Sequence, residues 1–534
     1  MIMKRLSYYL IILLTGFSVA SCTDWLTLEP EDGVTLGDYF QSQEDVEAVV
    51  VGCYCAMMNT TFVNDLFLWG ELRADMITGG TKPNSSYTSI ISGEIAESNT
   101  ITKWSAFYTV INNCNIVLEY ADYPIDNELD ASYTQTEADL YKAEAKALRA
   151  LSYFYLLRSF KDVPLVLDAS LSDDQTYSIA KSADSVVMAQ ILDDLEDAET
   201  IMEATPSYNT DMPKGRMTVW AVKALLADVC LWNEDYANAL LRCNAIIDSE
   251  QFYLIPVNHQ LVYLEATGTL PADTVYYPSD ADITSLFDQL YATGNSDESI
   301  FELNFNENKT NGFYDLFSST KNVLIAYLDN IETNYFPAYE RDPDNVYDIR
   351  SKTFAYKGSL IWKYQGLSRT GSARTSAQSY ANWIFYRYPD VLLMKAEALI
   401  ELSRESGNPD VYLSTAYDLI TQVRERSNAL DGETIISEED LKADELEEFL
   451  LDERAREFMF EGKRWYDVLR FAKRDNYASI NYLLNMALQS STPSEKQKSL
   501  QTKLKDTRSH YWPIYYEELE NNPLLVQNDY YKTK

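Results

Sequence analysis

Apolar positions recur every three or four residues along most of this chain, and they divide it into helices before any other feature is considered. Between residues 446 and 470 the stripe runs Leu451, Ala455, Phe458, Gly462, Trp465 and Leu469, in steps of four, three, four, three and four. That spacing predicts one helix with a single buried face. Asp452 and Arg456 lie one turn apart on its flank, where an opposite-charge pair adds about 0.2–0.5 kcal/mol. Gly462 sits on the stripe. Glycine costs roughly 1 kcal/mol against alanine in a helix, so close approach by a second helix is the expected reason for it.

The same period marks helices over residues 43–57, 102–120, 137–160, 184–198, 385–402 and 416–428. Val219, Val222, Leu226 and Val229, then Tyr236, Leu240, Cys243 and Ile247, mark a hairpin of two helices joined by a turn at residues 233–235. Alanines on the 137–160 face allow close approach to a neighbour, and Pro164 ends that helix. Paired helices with short turns predict a mainly α, tetratricopeptide-like hairpin scaffold. Residues 251–374 break the pattern with turn formers and short apolar runs, which predicts a large, irregular, loop-rich subdomain. Within it, residues 299–305 alternate and predict a short strand.

Composition narrows the function. The chain has 534 residues and a formal net charge of -38. That charge makes nucleic acid an improbable partner, and any anionic ligand would need a local exception. Tyrosine is abundant at 40 residues; flat rings serve a core, an interface or a sugar-stacking surface equally well. Six cysteines in so long a chain do not read as a disulfide framework, and Cys230 and Cys243 fall in helices as small hydrophobes. Two histidines argue against a zinc site, and no cofactor is expected.

At the N-terminus Lys4 and Arg5 precede an apolar run, then Ala20, Ser21 and Cys22. This predicts a secretory signal over residues 1–21 with Cys22 as the acylated first residue of the mature chain, a membrane tether. An ordinary signal with a coincidental cysteine is the alternative. The expected organisation is this signal, a lipid-anchored leader over residues 22–42, a helical region over 43–250, the loop-rich region over 251–380 and a second helical region over 381–534.

Three segments carry a family resemblance. They are AEAKALRALSYFYLLRSFKDVPLV at 143–166, FYRYPDVLLMKAEAL at 385–399 and LDERAREFMFEGKRWYDVLRF at 451–471. Together with the tail YWPIYYEELENNPLLVQNDYY at 511–531, they resemble the SusD/RagB family of outer-membrane nutrient-binding lipoproteins. In that tail, Asp529 and Tyr530 stand where family members often have Pro and Gly. The resemblance implies a lipoprotein on the outer face of the outer membrane. It would cover a TonB-dependent, SusC-like transporter and deliver oligosaccharides to it by stacking, hydrogen bonding and lid-like release. Some relatives handle peptides instead.

The family's early loop often contributes ligand contacts, and here it corresponds to residues 76–87. Arg73 and Asp75 before it can hydrogen-bond a hydroxyl-rich ligand, or pair with each other. Lys82, Asn84 and Tyr87 are surface candidates. Tyr276, Tyr277, Phe313, Tyr314 and Trp362 are aromatic candidates in the irregular middle, where binding residues tend to sit on loops held by a scaffold. Each can equally be a packing residue. Arg387 and Asp390 read as braces for the start of a helix. No phosphate loop, GxSxG elbow or HExxH occurs. A chain with 82 acidic residues will hold carboxylate pairs at any chosen spacing, so a surface glycoside hydrolase is the weaker alternative.

Overall fold

The structure, a computed structural model, describes residues 39–171, 175, 177–205, 214–265, 273–337, 348–429 and 441–532. The signal, the leader up to residue 38 with Cys22, and the loop expected at 431–437 lie outside the described residues.

The scaffold begins with a capped helix, Gln43–Met57. The Ser42 side chain accepts from the Asp45 N–H, and the Asp45 carboxylate accepts from the Ser42 N–H. Thr134 and Glu137 repeat this capping box at the start of Gln135–Phe160. The helices then stack in series. Gln43–Met57 packs on Ser105–Tyr120, which packs on Gln135–Phe160, followed by Asp184–Glu203, Val219–Trp232 and Tyr236–Asp248. Ala143, Ala147 and Ala150 are fully buried, consistent with close packing around Gln135–Phe160. Trp104 is buried too, just ahead of its helix, against Phe160 and Tyr108.

Tyr236–Asp248 docks next on Tyr388–Glu405, which pairs with Pro409–Arg426. The chain thus leaves the helical series near residue 248 and rejoins it at residue 388 without breaking it. The result is mainly helical, with tetratricopeptide-like hairpins. The departing stretch builds a core of its own from Ile255, Ile283, Leu286, Phe287, Phe354 and Trp362.

Strands among the described residues occur only as two-stranded pairs. Ser299–Leu303 is a strand, as its alternation predicts, antiparallel to Trp383–Arg387. That partner corrects the expected 385–402 helix: its first residues are strand, and the helix starts at Tyr388. All five residues of Trp383–Arg387 are buried, and a short continuous apolar run has no period to tell strand from helix. A hairpin of His259–Leu264 with Asp273–Pro278 stands where the sequence shows only aromatics beside turn formers.

The 446–470 segment is two helices, Ala443–Glu457 and Arg464–Tyr477. All six stripe positions are buried, so the face is right and the continuity is not. Phe460 and Gly462 take φ of 67° and 71° between the helices, a region α-helix excludes. Close approach is the cause. A Cβ on Gly70 would lie 1.8 Å from the Gly462 carbonyl oxygen, and one on Gly462 would lie 2.7 Å from that of Leu66.

Candidate functional site

The residues of the family signature pair inward. Arg387 reaches Glu461 at 3.1 and 3.0 Å and Glu298 at 3.3 Å, and it also bonds Glu457. Arg426 bridges Glu298 and Glu457. Arg350 reaches Glu453 at 2.6 Å and Glu457 at 2.7 Å. Arg470 holds Glu397 at 2.7 and 2.9 Å, while Asp390 takes Lys463 and Arg454. Burial pushes the Glu461 carboxyl up, but Arg387 and Lys363 outweigh it and hold the group at about 2. Arg387 and Asp390 are braces, as expected, although they brace strand to helix break rather than one helix start. Asp452 and Arg456 lie one turn apart on the helix flank; Arg456 spends its direct hydrogen bonds on Glu453 and the Tyr335 carbonyl, while its charge still acts on Asp452. This ionic interior packs a scaffold and leaves a ligand no access.

Two further candidates engage the C-terminal half, Asp75 inside it and Arg73 only half-buried. Asp75 is fully buried, accepting from Tyr335 at 2.5 Å and from Arg464 at 3.2 Å. The Arg73 guanidinium lies 3.9 Å from the Trp465 ring centroid and donates to the carbonyls of Ser509 and His510. Desolvation pulls its pKa down to about 10. Neither pairs with the other, and both tie the early segment to the C-terminal half. Phe313 is fully buried against Tyr364 and Phe317. Trp362 is 2% exposed in the second core, with its indole N–H given to the carbonyls of Ser368 and Arg369. As placed, Asp75, Phe313 and Trp362 offer no surface to a ligand. Their aromatic or polar type was legible, but burial is set by partners distant in sequence.

The remaining candidates lie at the surface. Ile77–Gly79 pairs antiparallel with Leu324–Ala326. The ladder continues as Gly80 N–H donates to the Val323 carbonyl and Thr81 N–H to Asn322 Oδ1. Gly80 is required there, since its Cβ would lie 2.3 Å from two oxygens of Asn322. Lys82 is exposed and reaches the Thr320 carbonyl at 2.9 Å. Asn84 is exposed and caps Ser85–Ile91 by accepting from the Ser86 N–H. Tyr87 on that helix is half-buried, and desolvation raises its phenol. Tyr314, on the short helix Phe313–Phe317, is half-buried and donates its N–H to Ser379 Oγ. The early loop and the middle of the chain therefore meet, and Lys82, Asn84, Tyr87 and Tyr314 remain reachable from solvent. Tyr277 is half-buried against the second core. Tyr276 occupies the strand opposite Leu261, and its side chain lies outside the description. Sequence reasoning missed Thr320 and Asn322, the residues that hold the loop; only the paired glycines at 79 and 80 hinted at a close approach.

Comparison with known proteins gives this arrangement a lineage. A family model described as the SusD family matches residues 291–531, and one described as starch-binding associating with outer membrane matches residues 24–231. SusD-like protein P38 of Formosa agariphila is 26% identical over 98% of this chain and 99% of its own. A SusD-like protein of Bacteroides ovatus is 22% identical over 90% of this chain and 85% of its own. A SusD superfamily protein from Bacteroides vulgatus superposes with a TM-score of 0.67 at 21% identity, covering 92% of this chain and 100% of that one. NanU of B. fragilis does so at 0.65 and 21%, covering 94% and 99%. At these identities the structural likeness is one of fold. Proteins of the matched family are non-catalytic and work at the outer membrane with TonB-dependent transporters. By the two models, which between them take in most of the chain, this protein belongs to the SusD/RagB family of outer-membrane nutrient-binding proteins.

Proposed function

We propose that this protein captures oligosaccharides on the face where the 80–84 loop meets the 313–326 segment, and passes them to a TonB-dependent transporter without chemistry. The observation that carries this reading is the fastening of Thr81 and Lys82 onto Asn322 and Thr320. Lys82 and Asn84 are exposed, and Tyr87 and Tyr314 are half-buried, on or next to these two braced segments. Flat rings offer sugar faces a stacking partner, and the polar groups can meet hydroxyls. One similar protein of B. vulgatus is described as a putative sugar binding protein. The lipid on Cys22 would hold the body at the membrane through the leader; among the described residues no single helix is long and apolar enough to span one.

Calorimetry with the mature protein, against oligosaccharide and peptide panels, tests this. A sugar should bind, and Tyr314→Ala or Tyr87→Ala should weaken it by about 0.5–1.5 kcal/mol each, the size of one aromatic contact. Peptide binding without sugar binding would replace the ligand class and keep the uptake role. Unchanged sugar affinity in both folded variants would remove this face from the reading. Cys22→Ala should shift the protein from the membrane fraction to the soluble fraction, and an unacylated Cys22 in the cell-associated wild type would refute the tether.

A further inference from the structure

A groove lies apart from the loop face, with no residue of 80–84 or 313–326 on its walls. Helix Gln135–Phe160 ends at Lys161, and the C-terminal segment crosses that end. Trp512 N–H donates to the Ser159 carbonyl at 2.8 Å, and Asn528 Nδ2 donates to the carbonyls of Phe160 and Trp512 at 3.1 and 2.7 Å. Between these segments opens a groove of about 150 Å³ whose walls include Lys161, Lys181, Arg508, Tyr511 and Asn528. It is smaller than the roughly 300–1,000 Å³ of drug-sized sites, which restricts it to a single ring, such as the end of a glycan.

Its charge runs against the rest of the molecule. In a chain of net charge -38, three cations line one groove. The two carboxylates on its walls are already engaged. Asp162 accepts from the Asp184 N–H at 3.1 Å, and Asp529 takes Lys532 at 2.6 Å. Lys181 is only partly exposed and gives its ammonium to a neutral amide, Asn528 Oδ1, at 2.7 Å. No carboxylate lies within ion-pair reach of it among the described residues. Burial lowers its pKa, which a bound anion would reverse. Arg508 spends Nε and Nη2 on Asp506, at 2.9 and 2.7 Å. Asp162 and Asp529 act on Lys181 only from beyond ion-pair distance. A half-buried ammonium with no direct ion pair among the described residues, beside a guanidinium and a phenol ring, is the local exception that an anionic ligand would require.

We propose that this groove binds the terminal residue of an acidic glycan, with the carboxylate of a uronic-acid unit on Lys181 and Arg508 and its ring beside Tyr511. The hydrogen bonds would be charge-assisted, and the groove walls would keep solvent from screening them fully. The site stands apart from the loop face, and either can fail without the other.

The probe is trigalacturonate, compared with its fully methyl-esterified, uncharged form. Both are titrated calorimetrically into the detergent-extracted mature protein at low ionic strength. The acid should bind at least tenfold more tightly than the ester, and its affinity should fall as salt is added. Lys181→Ala and Arg508→Ala should each cost at least tenfold, whereas Lys181→Arg should retain binding. Lys498→Ala, which removes the same charge from an exposed helix position, should change nothing. Melting curves identify any variant that fails to fold; Arg508 is exposed, so its variant keeps the test decisive. Equal binding of acid and ester, no binding of the acid at millimolar concentration, or wild-type affinity in the folded variants would overturn the proposal.

Discussion

Glu71 is a carboxyl that the fold keeps uncharged. It is fully buried at the end of Thr60–Glu71, and its Oε1 accepts the Gly462 N–H at 2.9 Å. Burial raises its pKa from 4.5 to about 8. Between those values the folded chain holds a proton that the unfolded chain has released, so this group lowers stability as pH rises from about 4.5 to about 8. Glu71→Gln keeps the acceptor for Gly462 and has no proton to lose. Its melting temperature should fall less steeply than wild type between pH 5 and 8, and should exceed wild type at pH 8. Identical slopes would show that Glu71 is not the proton-holding group. Gly462 makes a second single-residue case. With φ at 71° and Trp383 2.8 Å from the position of a Cβ, Gly462→Ala should destabilise by about 1–3 kcal/mol in urea unfolding.

The two helices of the family signature matter less as helices than as carriers of buried charge. Glu453, Glu457 and Glu461 lie on or just after the first, and each is met by a cation from elsewhere in the chain. Arg387, on the strand beside them, touches three carboxylates. Such pairs hold little net stability against an apolar replacement, but removing one partner leaves uncompensated charge. Arg387→Ala should therefore cost about 3–5 kcal/mol by urea denaturation. Because Glu461 is held at about 2, its contribution is present above pH 4.5 and is lost as pH falls toward 2. Wild-type acid unfolding should begin in that window, and the Arg387→Ala protein should unfold at a higher pH. A variant as stable as wild type would mean that the carboxylates had found other partners or protons.

For the whole molecule, charge divides between inside and outside. The interior pairs are nearly balanced and buried, so salt screens them weakly. The surface carries most of the net charge of -38, and its self-repulsion opposes the compact state. Raising sodium chloride from about 10 mM to about 500 mM, from a Debye length of about 30 Å to one of a few Å, should raise the melting temperature. A fall would show that exposed ion pairs outweigh the repulsion. The same screening should weaken anion binding at Lys181, so stability and affinity should move in opposite directions with salt.

The helical series was readable in advance because each helix buries one face, and burying one face writes a 3.6-residue period into local sequence. The 137–160, 184–198 and 219–247 segments carry that period, and the structure sets them side by side as expected. The strand Trp383–Arg387 was not readable, since all its residues face protein and no period remains. Nor was the break at Phe460 and Gly462: the stripe keeps its spacing across two helices, and the cause is Gly70, far away in the chain. At the candidate site the sequence supplied residue types and the loops that carry them. Lys82, Asn84, Tyr87 and Tyr314 stay accessible, while Asp75, Phe313 and Trp362 go inside. Arg464, Tyr364 and the second core decide that, through contacts with no local signature. Local pattern determined the helical series, because each of those helices buries one face; long-range contact decided the strand at Trp383–Arg387, the break at Gly462 and which charges and rings face water.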